Sequence, residues 1–127
     1  MRKLSIIIFL GFSFLFVRAQ NVQNELKELS DYMSTCITEL TDGYVTDSQI
    51  TNGGASVDIK IPSKYTIDSL IPELNMIFRQ IGFDIVSPWK KFDDVEIRSI
   101  QSFNGIYFLF NYNEKYQICS FIIPVPD

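Results

Sequence analysis

Three runs of alternating apolar residues near the end of the chain, spaced by turn residues at hairpin distance, constrain the fold most. Val95 to Phe103, Ile106 to Tyr112 and Tyr116 to Ile123 read as strands, joined by Asn104-Gly105 and by Asn113-Glu114-Lys115. Asn-Gly suits a two-residue turn, and the second connection is also of hairpin length. An antiparallel meander is the expected result. Pro124 and Pro126 stop the last strand from recruiting another neighbour.

Upstream, the apolar period changes from two to between three and four. Val22, Leu26, Leu29, Met33, Cys36 and Leu40 mark one face of a helix, with Asn21 as N-cap and Gly43 as stop. Val57, Ile59 and Ile61 then alternate with Asp58 and Lys60, the pattern of a half-buried strand. Asn52-Gly53 folds Tyr44 to Ile50 back on Ala55 to Ile61 as a hairpin. A second amphipathic helix carries Ile67, Leu70, Ile71, Leu74, Ile77, Phe78 and Ile81. Pro72 places its start near Asp68 or Ser69, and Gly82-Phe83 suits a Schellman-type stop. The expected architecture is α+β: helix, β-hairpin, helix and three-stranded meander, with both helices on one face of an antiparallel sheet.

Residues 1–19 read as a signal peptide. Arg2 and Lys3 precede an apolar run from Leu4 to Val17, and Val17-Arg18-Ala19 offers a cleavage site before Gln20. Gln20, not cysteine, stands at that site, so no lipid tether is expected there. No later run approaches the roughly 20 apolar residues of a membrane helix. The expected product is one domain, residues 20–127, secreted or periplasmic, with no stable membrane anchor.

Losing Arg2, Lys3 and Arg18 would leave eight of the eleven basic residues against fifteen acidic ones, a net charge of −7. A chain so acidic has no counterion-release route to nucleic acid and no basic stripe for anionic lipid. Histidine is absent from the sequence. That removes Ser-His-Asp and Cys-His nucleophile systems and imidazole metal sites. No nucleotide loop is present, since Asn52-Gly53-Gly54 precedes no Lys-Ser/Thr and no helix. No cofactor is expected.

Cys36 and Cys119 are the only cysteines, and an exported chain could pair them. Closing so long a loop would stabilise the fold by roughly 4.5 kcal/mol in the chain-entropy model. Pairing requires Cα atoms within about 7 Å. The alternative is two small buried hydrophobes.

The remaining candidates for chemistry are carboxylates. Asp94 and Glu96 share a strand face at the start of the meander, where like charge could raise one pKa and create a general acid. A solvated loop and strand edge, with Lys90, Lys91 and Arg98 as nearby counter-charges, is the favoured explanation of the cluster. Thr41-Asp42-Gly43 and Asp47 offer oxygen atoms but lack the regular spacing and closing Glu of a calcium loop.

The meander is richer in apolar residues than one covered face requires. Ile106, Phe108, Phe110 and Tyr112 share one face of their strand, with Tyr107 and Leu109 on the other. The next strand puts Cys119, Phe121 and Ile123 on one face and Ile118 and Ile122 opposite. Sheet curling, or the Trp89 segment folding over, would cover the second face; otherwise Tyr107, Leu109, Ile118 and Ile122 form an interaction surface. By elimination the chain is expected to be a small, exported, non-catalytic binding or structural module whose partner is another envelope or extracellular protein. A carboxylate-dependent enzyme, a small-molecule binder and a secreted inhibitor are the alternatives.

Overall fold

A computed structural model describes residues 22–125. The signal-like segment, the expected N-cap Asn21 and Pro126 lie outside the described residues. Helix α1 spans Val22–Thr41, strands β1 and β2 span Tyr44–Thr51 and Gly54–Lys60, and helix α2 spans Ile67–Ile81. Strands β3 (Asp84–Asp93), β4 (Glu96–Phe103), β5 (Ile106–Asn113) and β6 (Ile118–Pro124) complete the chain. The six strands form one antiparallel sheet in the order β1-β2-β6-β5-β4-β3. The α+β class and the placement of amphipathic helices against an antiparallel sheet agree with the sequence pattern.

The strand count does not. The expected three-stranded meander has four strands, because Asp84–Asp93 pairs with β4 as an edge strand. Ser87-Pro88 reads as a break in sequence, yet an edge strand tolerates proline where its missing N–H faces no neighbour. Three register shifts along β3 destroy the two-residue period that would have revealed it. Trp89 does not fold over the open face. It lies on the helix side, stacking near Phe78 at 6.1 Å between ring centroids and donating Nε1–H to Asn75 Oδ1 at 3.0 Å.

One core fills the space between helices and sheet. From α1 it takes Leu26, Leu29, Met33, Cys36 and Ile37, and from α2 Ile67, Leu70, Leu74, Ile77, Phe78 and Ile81. The sheet contributes Val57, Ile59, Ile97, Phe108, Phe110, Tyr112, Phe121 and Ile123. Each fully buried aliphatic or aromatic side chain contributes about 1.5–3 kcal/mol by leaving water. The buried hydroxyls of Ser34 and Thr41 donate to Ser30 O and Ile37 O, both at 2.7 Å, so neither is stranded.

Helix ends follow local chemistry with two departures. Helix α2 begins one residue earlier than expected and carries Pro72 within it. Thr66 caps it reciprocally with Ser69, and Glu114 Oε2 accepts from Ile67 N at 2.6 Å, so the first turn is held before proline removes a bond. Its end matches expectation: Gly82 is left-handed at φ 91°, Phe83 N donates to Phe78 O at 2.9 Å, and the two rings pack at 5.5 Å. After α1, however, Asp42 takes the left-handed position at φ 61°, not Gly43. Gly43 is there for space, since a Cβ would sit 2.6 Å from the carbonyl oxygen of Lys60.

Cys36 and Cys119 form no disulfide; both thiols are free and buried. Cys36 lies one turn from Tyr32 on α1, whereas Cys119 sits opposite Tyr112 across the β5–β6 ladder. Each acts as a small hydrophobe in the core. Burial, with Glu39 adding, pushes the Cys36 thiol up to about 12. Burial, with Asp58 adding, does the same to Cys119, also to about 12.

Candidate functional site: the open face of the sheet

Both helices pack on one face, and the opposite face is left without a covering element among the described residues. It is concave. A trough of about 690 Å³ crosses it, reaching from β2 through β6, β5 and β4 to β3.

The floor can be built from the register alone. Side chains alternate faces along a strand, and directly opposed residues share a face. Asp58 opposes Ser120, Ser120 opposes Asn111, Asn111 opposes Arg98, and Arg98 opposes Lys90. This makes a polar row straight across five strands. Two residues along four of the strands, and three along β3, runs a second row, Ser56, Ile122, Leu109, Ile100 and Ser87, apolar in its middle three positions. Leu109 remains 37% exposed and Ile122 48%.

Lys90 owes its place to a bulge. Ser87 opposes Ile100 and Lys90 opposes Arg98, so three residue steps on β3 match two on β4. Without the extra residue, Lys90 would point to the helix side when Ser87 pointed into the trough. The displaced Ser87 carbonyl accepts from buried Ser99 Oγ at 2.8 Å, and Gln101 Nε2 donates to that same hydroxyl at 2.8 Å. Ser99 and Gln101 are thus the positioning groups for the bulge.

The charges at the two ends have different company. Asp58 Oδ1 accepts from Ser120 Oγ at 2.7 Å and forms no ion pair among the described residues. Arg98 Nε bonds Glu96 Oε2 at 3.0 Å, and its guanidinium lies 4.1 Å over the Phe92 ring centre. Asn111 Nδ2 donates to the same Glu96 oxygen. Lys90 is exposed and enters no ion pair among the described residues. The trough therefore carries an unpaired carboxylate at one end and an unpaired cation at the other.

The expected surface residues divide. Leu109 and Ile122 line the trough, while Tyr107 is 49% exposed further along β5 and Ile118 is half-buried beyond the polar row. Asp94 stands exposed in the β3–β4 turn, and Glu96 turns instead to Arg98 and Asn111. These bonds engage Glu96 with Arg98 and Asn111 and do not pair it with Asp94. Thr41 is spent on helix and turn bonds, and Asp42 lies 3.6 Å from Lys64. Asp58, Lys90, Arg98, Asn111 and Ser120 were missed as site residues from sequence. Their polar periodicity was visible, but the β2–β6 pairing that aligns them was not.

No protein-family model matches the chain, and neither do curated proteins or solved structures.

Proposed function

We propose that this chain is an exported, non-catalytic binding module that works through the concave open face of its sheet. The observation that carries the reading is the apolar row Ile122, Leu109 and Ile100 held at the bottom of a trough of about 690 Å³. Water over such a row is displaced favourably by a ligand with apolar surface, worth about 25 cal/mol per Å² buried. The polar row beside it supplies orientation. Export is supported by the basic start, apolar run and small-residue site of residues 1–19.

The test uses an environment-sensitive apolar dye, anilinonaphthalene sulfonate, on the folded protein. Fluorescence enhancement is expected with the native sequence, and at least a fivefold weaker enhancement with Leu109→Glu or Ile122→Glu. Both positions are partly exposed, so the melting temperature of each variant should stay within a few degrees. Equal enhancement from the variants, with melting unchanged, would remove the open face from the account.

A further inference from the structure

The polar row is a dipole with a defined length. Asp58 stands three strands from Arg98 and four from Lys90 along a single line of opposed residues. Strands lie about 4.8 Å apart, so the two charged ends are roughly 14 to 19 Å apart. An extended peptide advances about 3.3–3.6 Å per residue, so roughly four to six residues cover that distance.

We propose that the trough takes a short peptide with free ends, roughly four to six residues long, lying across the strands. Its ammonium group sits on Asp58 and its carboxylate on Lys90 and Arg98. Apolar side chains rest on Ile122, Leu109 and Ile100, while Ser56, Ser120 and Asn111 offer hydrogen bonds to its amide groups. This rests on the open face being the working surface and adds the ligand class.

Charge decides against the other occupants. A single-headed amphiphile such as a fatty acid would satisfy Lys90 but lay its alkyl chain on Asp58, stripping water from a carboxylate without supplying a partner. An internal segment of a protein brings no end charges to the row. Glu96 already offsets Arg98 at 3.0 Å, so Lys90 supplies the uncompensated charge for the carboxylate while Arg98 adds N–H donors. The backbone of the floor strands is engaged in the ladders, so the peptide is held by side chains and not as an added strand.

Calorimetric titration with Ala-Leu-Ala-Leu-Ala, its N-acetyl form, its C-terminal amide and dodecanoate tests the assignment. Capping either end is expected to weaken binding about tenfold, the loss of one charge-assisted contact. Asp58→Asn should weaken the free peptide about tenfold and leave the N-acetyl form unchanged; Lys90→Gln should behave likewise toward the amide. Equal affinities for free and capped peptides would overturn the proposal, as would equal losses for both forms in Asp58→Asn. Binding of dodecanoate without the peptide would overturn it too, while leaving the open face as the binding surface. If neither ligand binds and the dye enhancement also fails, the reading beneath it falls as well.

Discussion

At pH 11 the protein is expected to be largely unfolded in a urea concentration that leaves it folded at pH 7. The cause is in the core. Cys36 and Cys119 have thiols pushed up from 9 to about 12, by burial above all. Tyr112 is pushed up from 10 to about 12, again chiefly by burial, while its hydroxyl donates to Tyr65 O at 3.0 Å. In the unfolded chain these groups release protons at their ordinary values. The stability they contribute is therefore whole below pH 9 and is lost as pH rises toward 12. Between those limits each thiol removes about 1.4 kcal/mol per pH unit, so the pair removes about 3. Two such units remove about 6 kcal/mol, a large share of an ordinary domain's stability of roughly 5–15 kcal/mol. Urea midpoints from pH 7 to 11 check this, and the Cys36→Ala/Cys119→Ala variant should show a distinctly shallower decline. A wild-type profile flat to pH 10.5 would contradict it. That result would mean thiols unable to titrate on unfolding, as a disulfide would make them.

Phe110→Ala should destabilise the fold by about 3–5 kcal/mol, the range for emptying a large buried aromatic site. Phe110 is 2% exposed, and its ring packs against Phe78 at 4.6 Å, Phe121 at 5.9 Å and Trp89 at 6.5 Å. Partners from α2, β6 and β3 cannot collapse together into the vacated space, because each is fixed by its own ladder or helix. The neighbouring change Phe92→Ala, at a ring 58% exposed, should stay within about 1 kcal/mol. Urea denaturation of the two variants separates these outcomes. Comparable losses would mean that the core is not shared between helix and sheet as described.

Much of this fold is legible from local chemistry, and the limits have physical causes. Asn104-Gly105 adopts φ of 52° and 80°, and that turn sets Phe103 opposite Ile106, hence Ile100 opposite Leu109. The split between Phe108/Phe110 and Tyr107/Leu109 follows from period two alone. The Gly82-Phe83 stop follows from left-handed glycine and a returning aromatic ring. Strand β3 was hidden because bulges erase its period and Pro88 imitates a break. The trough was hidden for another reason. Its two ends, Asp58 on β2 and Lys90 on β3, meet only through the pairing of β2 with β6, which no turn between them encodes. The cysteines show the same limit. An even count, and the compartment expected of an exported chain, favour a bridge, but the position of α1 over the sheet decides whether the thiols meet.

The uncovered sheet face, and not a helix surface or sheet edge, is the proposed seat of the ligand. Amide chemical-shift mapping during titration with Ala-Leu-Ala-Leu-Ala tests it most directly. The largest shifts are expected at Ser56, Asp58, Lys90, Arg98, Leu109, Asn111, Ser120 and Ile122, with α1 and the outer face of α2 still. Shifts concentrated on the helices, or confined to the free edge of β1, would contradict it.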